Sequence, residues 1–173
     1  MPHIPVPAAE LNTRLDRLRC AMTEKDPAWS MLLLDNTLDM YYFTGTMQDG
    51  ALVVTPDQAT LFVRRSFDVA KDESAFADIR PMGSFRSIKE VYPDIPETVY
   101  VAAKTMTLQK LSMLNKHLPF APKPMDGVLS ALRSVKSAYE LDCMRESGKL
   151  HRYVIEGLAP AFLREGVSEA RLC

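Results

Sequence analysis

The sequence predicts an α/β fold: a mixed β-sheet of about five to six strands with helices on both faces, followed by a long C-terminal linker helix. Apolar runs bounded by turn residues alternate along the chain with segments of helical periodicity. Two of those runs adjoin through a proline-containing turn, which predicts one antiparallel hairpin and therefore a mixed sheet. A serine-led helix cap near the end of the chain predicts the final helix.

The composition is that of an ordinary folded domain. The chain has 173 residues, of which 47% are hydrophobic and 25% charged, and its formal net charge is -1. These values exclude a disordered chain, and the balanced charge offers no electrostatic basis for binding nucleic acid or an anionic membrane. No apolar run approaches the ~20 residues of a membrane-spanning helix. We therefore expect neither a nucleic-acid partner nor a membrane partner.

The cysteines indicate a reducing compartment. Cys20, Cys143 and Cys173 are odd in number, widely spaced and without a CxxC pair. This pattern argues against a disulfide framework and against a zinc site. The start of the chain also lacks the basic region and the apolar stretch of a secretory signal. We therefore expect a cytoplasmic protein.

The first half of the chain predicts a helix, a strand and a hairpin. Apolar residues spaced three or four apart between Leu11 and Met22 predict an amphipathic helix, with Arg14 among the residues that face water. An apolar run bounded by Asp-Pro and Asp-Asn predicts a buried strand. That strand is expected at 29–34, and the two strands of the hairpin at 51–55 and 59–63.

Helices and strands alternate through the middle of the chain. The predicted elements are a helix at 66–77, a strand at 78–82, a helix at 84–92, a strand at 98–102 and a helix from Thr107. Pro119 ends the last of these helices, because proline cannot donate a helical hydrogen bond. Pro122, Pro124 and Gly127 then indicate a loop around an edge strand near Met125.

The last segment predicts a capped helix with a distortion. Ser137 and Glu140 form a capping-box pattern, in which each side chain accepts a hydrogen bond from the backbone of the other residue. Pro160 should bend or break the helix near Glu156, and Gly166 should end it. We expect three parts: a flexible N-terminus at 1–7, an α/β domain at 8–136, and a linker helix with the truncated start of a catalytic domain at 137–173.

Common catalytic signatures are absent from the sequence. It contains no glycine-rich phosphate loop, nucleophile elbow or His-Glu-x-x-His motif, and its histidines are far apart. We therefore predict no catalytic residue and no metal ligand within the chain. Arg64 and Arg65 directly follow a strand, where sheet proteins place ligand contacts, although a solvated strand end explains them equally well.

Three motifs carry a resemblance to a known family. Residues 39–45 read Asp-Met-Tyr-Tyr-Phe-Thr-Gly, an aromatic turn that leads through a polar loop at 46–50 into the hairpin. Residues 132–141 read Leu-Arg-Ser-Val-Lys-Ser-Ala-Tyr-Glu-Leu, and residues 165–169 read Glu-Gly-Val-Ser-Glu. Together they resemble the amino-terminal domain of the creatinase, prolidase and aminopeptidase P family of pita-bread metallopeptidases. The resemblance is greatest to its Xaa-Pro dipeptidases and aminopeptidases P.

The resemblance implies a non-catalytic role for this chain in a hydrolase. In the family, a pair of divalent metal ions such as manganese, cobalt or zinc is held by the carboxy-terminal domain, so this chain alone should be inactive and hold no cofactor. Its expected partners are its own C-terminal catalytic domain, a second copy in a homodimer, and short proline-containing peptides. The alternatives are the same domain of a creatinase-like amidinohydrolase or lyase, and of a non-enzymatic peptidase-like binding protein.

The resemblance also implies a substrate rim on this chain. The aromatic residues of the turn can anchor it, which leaves polar side chains of the following loop free to face the partner subunit's active site. Asp39 stands where the family commonly has asparagine and would hold a substrate amino group, although a helix N-terminal carboxylate is the favoured explanation. The rim residues so implied are Asp39, Tyr42, Gln48, Asp49, Arg64 and Arg65.

Overall fold

The computed structural model describes residues 5–163 and 165–171, in two compact units that divide between Ser134 and Val135. The first unit contains the sheet, and the second is helical. Residues 1–4 of the predicted flexible N-terminus lie outside the described residues, and Val6 is buried. The predicted domain limits at 8 and 136 stay predictions. None of the described helices is long and apolar enough to cross a bilayer.

A six-stranded mixed sheet forms the centre of the first unit. Its strands are β1 (Leu32–Leu34), β2 (Gly50–Val54), β3 (Ala59–Val63), β4 (Ile79–Pro81), β5 (Thr98–Val101) and β6 (Ala121–Pro124). They lie in the order β4-β3-β2-β1-β5-β6. β2 pairs antiparallel with both β1 and β3, and the other neighbours pair parallel. The predicted mixed sheet and its hairpin are therefore confirmed.

The helices alternate with these strands as predicted, with shorter bounds in places. They are α1 (Ala8–Lys25), α2 (Thr37–Thr44), α3 (Phe67–Glu73), α4 (Arg86–Val91), α5 (Leu108–Asn115), α6 (Asp126–Ser134), α7 (Ala138–Arg152) and α8 (Ala159–Phe162). α3 and α4 are shorter than the helices predicted at 66–77 and 84–92. α3 stops early because the Ser74 side chain leaves the helix and donates to the backbone oxygen of Thr44.

Both faces of the sheet are buried. On one face, Leu33 and Phe62 form a cluster with Ile88 of α4 and Leu114 of α5. The residues that alternate with these along the strands point to the opposite face and are also buried. On that face, the Tyr100 hydroxyl of β5 donates to the carboxylate of Asp26, which follows α1, at 2.7 Å. Burial on both faces explains why β1 consists only of leucines rather than alternating apolar and polar residues.

The first helix has the predicted apolar stripe, but the expectation for Arg14 was wrong. Its side chain is 5% exposed rather than facing water. Nη1 donates to the backbone oxygen of Tyr42 at 2.6 Å, and Nε pairs with Glu10 at 2.8 Å. The guanidinium carbon lies 4.3 Å from the centroid of the Tyr42 ring. Periodicity within α1 could not reveal this contact, because α2, which covers Arg14, follows much later in the chain.

The predicted aromatic turn is a helix, α2. The Asn36 side chain caps its start by accepting from the backbone N–H of Asp39 at 2.9 Å. Gly45 ends it in the left-handed conformation, with φ at 75°, and its N–H donates to Tyr41. The aromatic residues between these caps have weak helix propensity, so the two caps and tertiary packing stabilise the helix.

The region around Met125 contains more structure than the predicted loop. β6 ends before Met125, and α6 begins directly after it. The prolines are tolerated because β6 is an edge strand with only β5 as neighbour. Asp126 stabilises the start of α6 and accepts from the backbone N–H groups of Ala103 and Lys104 at 3.1 and 3.0 Å. Sequence reasoning missed α6 because the Pro and Gly residues near its start resemble loop signals.

In the second unit, the predicted capping box of Ser137 and Glu140 is confirmed. The helical path continues from α7 through a π-helical segment, Tyr153–Leu158, into α8. This distortion lies at the predicted place, because Pro160 has no N–H to donate to the carbonyl of Glu156. The helix ends at Phe162, before Gly166.

Candidate functional site

The carboxyl edge of the sheet gathers polar side chains from several segments. β1, β3 and β5 run in the same direction, so their carboxyl ends share one edge with the start of β2. Asp35 follows β1, Asp49 directly precedes β2 and Arg64 follows β3. α5, the helix after β5, adds Lys110. This edge is the candidate functional site.

The loop that leads into β2 is held by the end of α3. The Thr46 hydroxyl donates to the Glu73 carboxylate, and the Gln48 side-chain amide donates to the same oxygen at 3.2 Å. The Thr46 hydroxyl oxygen also accepts from the backbone N–H of Gln48 at 3.2 Å. The Glu73 carboxylate therefore braces a loop that has no regular secondary structure, next to the half-exposed Asp49.

Asp49 and Arg64 face each other where the hairpin strands begin and end. The backbone N–H of Arg64 donates to the backbone oxygen of Asp49 at 2.8 Å. The adjacent Gly50 is required, because a Cβ there would lie 2.0 Å from the backbone oxygen of Phe62. The two charged side chains are 3.8 Å apart and are 50% and 35% exposed, which makes them a weak surface pair. The Arg64 guanidinium carbon also lies 5.2 Å from the centroid of the Phe85 ring.

Asp35 and Lys110 form a second, more deeply placed pair at this edge. The Asp35 side chain is 2% exposed, and the Lys110 ammonium lies 2.8 Å from its Oδ2. This contact is an ion pair rather than a hydrogen bond, since Oδ2 has no partner in hydrogen-bond geometry among the described residues. The ammonium also donates to the backbone oxygen of Asp35 at 3.0 Å.

Asp39 lies in the first turn of α2 near the same edge, but its carboxylate contacts other side chains. Oδ1 accepts from Nη1 of Arg133 at 3.0 Å, and Oδ2 accepts from Nδ2 of Asn36 at 2.6 Å. The side chain is 8% exposed. These contacts favour the structural explanation of Asp39, because a substrate amino group could reach the carboxylate only if Arg133 moved away.

Tyr42 lies within the layer formed by α1, α2 and α6, here called the helical layer, rather than at the edge. Its ring stacks under the Arg14 guanidinium and packs edge-on against Phe43, with centroids 4.9 Å apart. Its hydroxyl donates to the backbone oxygen of Leu132 in α6 at 3.4 Å. Tyr42 therefore joins three helices, α1, α2 and α6.

The structure separates the six predicted rim residues into two groups. Gln48, Asp49 and Arg64 lie together at the edge, and the exposed Arg65 follows Arg64 in the chain. The other two, Asp39 and Tyr42, are buried among helices.

Three residues of the edge were missed by sequence reasoning. Asp35 could have been found, since it directly follows a buried strand in the way that Arg64 does. Lys110 and Glu73 carried no such signal, because each is one charged residue on an amphipathic helix and only tertiary packing brings it to the edge.

The described residues offer no ligand set for a metal ion. Within 5–163 and 165–171, no three His, Cys, Asp or Glu side chains are grouped closely enough to hold one. His117 follows α5 in the first unit, and His151 lies in α7 in the second. Cys20 and Cys143 are free and exposed.

Comparison with known proteins gives a consistent result. Residues 14–135 match the creatinase/prolidase N-terminal domain family. No curated protein matches. The fold is similar to the Xaa-Pro dipeptidase from Bacillus anthracis, with a TM-score of 0.79 and 20% identity, covering 94% of this chain and 46% of that one. For the dipeptidase PepE from Mycobacterium ulcerans, the TM-score is 0.75 and the identity 25%, covering 98% and 48% of the two chains.

A third structure contains the N-terminal domain alone. It is the creatinase/prolidase N-terminal domain of an Xaa-Pro dipeptidase from Streptococcus pyogenes, with a TM-score of 0.57 and 18% identity. The match covers 69% of this chain and 98% of that one. The present chain thus spans about half the length of the two longer dipeptidases and nearly the whole of the isolated domain.

Proposed function

Because this chain belongs to the creatinase/prolidase N-terminal domain family, we propose that it is the non-catalytic N-terminal domain of an Xaa-Pro peptidase. In that role it forms a homodimer and closes the partner subunit's active site over short proline-containing peptides. The observation that carries the proposal is the braced loop at 46–49, where Glu73 fixes the backbone beside the half-exposed Asp49. A rigid loop with exposed polar side chains is suited to line a site on another subunit.

The proposed rim consists of the polar residues that the carboxyl edge exposes. They are the exposed Asp49, Arg64 and Arg65 together with the half-buried Gln48, and they carry both charge signs and an amide. A peptide offers a charged amino end, a charged carboxyl end and backbone amides, so such a set can orient it. Asp39 and Tyr42 contribute from behind, by holding α2 against α1 and α6.

The metal chemistry of such a peptidase belongs to residues outside this chain. The described residues do not fit a metal ion, since no ligand set is grouped among them. In the proposed parent enzyme, the carboxy-terminal catalytic domain would hold two divalent metal ions, which would supply Lewis-acid activation of water. The chain alone should therefore hydrolyse no Xaa-Pro peptide. The unpaired Cys20 and Cys143 are consistent with the expected cytosolic compartment.

The test uses matched aspartate variants in the full-length enzyme. Asp49→Asn removes a charge from the rim, and Asp57→Asn removes one from the exposed turn at the opposite end of the same hairpin. We expect kcat/KM for Xaa-Pro dipeptides to fall about tenfold or more in Asp49→Asn and to stay unchanged in Asp57→Asn, with both variants dimeric. Equal kinetics for the two variants would contradict the proposed rim.

A mixed dimer tests whether the loop acts on the partner subunit. One subunit carries Asp49→Asn with an intact catalytic domain, and the other carries a native loop with an inactivated catalytic domain. If the loop serves the partner's site, the native loop restores native kcat/KM to the single active site. If the variant loop limits that site instead, each domain serves its own subunit. Activity on a substrate other than Xaa-Pro peptides would favour the amidinohydrolase or lyase alternative.

A further inference from the structure

A small cavity lies at the carboxyl edge, between the end of β3 and the start of α5. Its volume is about 270 Å³, and it is lined by Arg64, Phe85, Thr107, Gln109, Lys110 and Met113. Two of these six side chains are cationic and none is acidic. The cavity therefore combines positive charge with the apolar surfaces of a phenyl ring and a methionine.

The Arg64 guanidinium is positioned with its hydrogen-bonding edge available. The centroid of the Phe85 ring lies 5.2 Å from the guanidinium carbon. The backbone N–H of Arg64 is fixed by its hydrogen bond to the backbone oxygen of Asp49. The nearest carboxylate oxygen, Oδ2 of Asp49, is 3.8 Å away and beyond hydrogen-bond distance. Among the described residues, none accepts a hydrogen bond from this side chain. A planar guanidinium placed in this way matches the two oxygens of a carboxylate.

Two oxygens of Asp35 hold the Lys110 ammonium in place. Asp35 contacts it through a carboxylate oxygen at 2.8 Å and accepts from it through its backbone oxygen at 3.0 Å. An ammonium group has three N–H donors, and only one is donated in hydrogen-bond geometry, to the backbone oxygen of Asp35, so donors remain for the cavity that Lys110 lines. The buried Asp35 thus acts as a fixed counter-charge that orients the lysine rather than as part of the cavity wall.

The remaining polar groups of the cavity are also suited to an anion. The Thr107 oxygen accepts from the backbone N–H of Lys110 at 3.2 Å, which leaves its hydroxyl hydrogen free to donate. Gln109 adds a side-chain amide to the lining. The volume is below that of sites for drug-sized ligands and is suited to a molecule about as large as an amino acid.

We propose that this cavity binds a small organic carboxylate. Its carboxylate group lies between Arg64 and Lys110, and its apolar part packs on Phe85 and Met113. This site goes beyond the proposed peptidase role and does not depend on it, because all of its contacts come from one copy of the chain. A ligand without apolar surface, such as inorganic phosphate, would satisfy only the cations and should bind more weakly.

The experiment is an NMR titration of the 173-residue chain with matched probes. N-acetylleucine carries the carboxylate, and N-acetylleucinamide has the same shape without the charge. We expect the first to cause saturable shifts at the amides of Phe85, Gln109 and Lys110, and the second to cause none. Inorganic phosphate is the third probe. Equal shifts with both leucine derivatives, or tighter binding of phosphate, would overturn the proposal.

Charge variants then locate the binding. Arg64→Gln should weaken N-acetylleucine binding about tenfold or more, because a charged hydrogen-bond donor is lost. Lys110→Gln should also weaken it, with a melting curve recorded to confirm folding. Arg86→Gln removes an exposed charge that does not line the cavity and should leave the affinity unchanged. If Arg64→Gln and Arg86→Gln bind the probe equally well, the shifts reflect general surface charge and the site does not exist.

Discussion

The helical layer and the carboxyl edge each contain an arginine over an aromatic ring and an ion pair between arginine and aspartate. The two regions differ in how far these groups are exposed. In the helical layer, Arg14 lies over the ring of Tyr42 and Asp39 pairs with an arginine of α6. At the edge, Arg64 lies over the ring of Phe85 and its partner is a half-exposed aspartate. The first arginine is 5% exposed and the second 35%. Only the second retains hydrogen-bonding capacity for an external ligand.

The difference in exposure between the two arginines comes from the groups that pack over each of them. In the helical layer, backbone carbonyls of neighbouring helices accept hydrogen bonds from the charged or polar groups, as Tyr42 does for Arg14. Such a buried charge is stabilising only while all its partners are present. At the edge the two side chains are 35% and 50% exposed, so water shares the interaction and its contribution to stability is small. Chemically similar residues are therefore buried in one region and accessible to solvent in the other.

The largest expected effect separates the two arginines. Arg14→Met should lower the free energy of unfolding by about 3 kcal/mol, because the half-buried Glu10 and the backbone oxygen of Tyr42 lose their hydrogen bonds from the guanidinium. Arg64→Met should lower it by less than about 1 kcal/mol, since the lost ring contact is partly exposed. Urea denaturation of both variants measures this. Similar losses would show that burial does not distinguish the two sites.

The two aspartates should show a smaller difference in the same direction. Asp39→Ala removes hydrogen bonds from Arg133 and Asn36 and should cost about 2 kcal/mol of stability. Asp49→Ala removes one exposed ion pair and should cost less than about 0.5 kcal/mol. A double-mutant cycle of Asp39→Ala with Arg133→Ala isolates the pair, and a coupling near zero would mean that this pair does not help to hold α2 against α6.

Loss of the loop brace should change dynamics more than stability. Glu73→Ala removes the acceptor for Thr46 and Gln48, so the loop at 46–49 should open more often. We expect hydrogen exchange at the Gln48 amide to accelerate, while exchange in β2 stays unchanged. The exposed neighbour Asp72 provides the control, and Asp72→Ala should exchange like the native chain. Faster exchange throughout the hairpin would instead indicate general unfolding.

The smallest expected effect is a pH dependence of stability at Asp78, which lies at the amino ends of the parallel strands, opposite the carboxyl edge. Burial alone would raise the pKa of Asp78, but hydrogen bonds from Arg80 and Thr60 outweigh it and hold the pKa below its usual value of about 4. A lowered pKa in the folded state stabilises the fold above the usual pKa, and this contribution disappears as the pH falls through the folded-state value.

Asp78→Asn should therefore reduce stability slightly at neutral pH and have no effect at strongly acidic pH. Denaturation of native and variant chains at both pH values measures the difference. Because Asp78 is 38% exposed, the expected change is small. An Asp78→Asn difference that persists at acidic pH would mean that the carboxylate's charge does not matter.

Local signals in the sequence predicted much of the fold. The spacing of Leu11 and Met22, the hairpin turn at Pro56 and the capping box at Ser137 each act within a few residues, and all three are confirmed. The sequence did not predict α2 and α6, because long-range contacts rather than local signals stabilise these two helices. Their sequences are weak helix formers or contain turn residues, and tertiary packing stabilises them.

The candidate site was predicted in part. Arg64 was predicted at an edge because it follows a strand, Asp49 was implied at the rim by the family resemblance of its loop, and both lie at the carboxyl edge in the structure. Lys110 and Glu73 could not, because each reaches the edge through contact with residues far away in the chain. The burial of Arg14 and Asp39 was equally out of reach, since a charged residue on a helix shows no sign of what packs over it.

The sequence by itself determined most of the secondary-structure order, the hairpin and the family, because these depend on patterns of residues that lie close together in the chain. Which charged residues are buried and which remain accessible was decided only by the tertiary structure. The physical reason is that burial of a charge depends on the partners that long-range packing supplies. Arg14 and Arg64 are both expected from the sequence to be exposed, but contact with α2 buries the first, while the second lines a cavity.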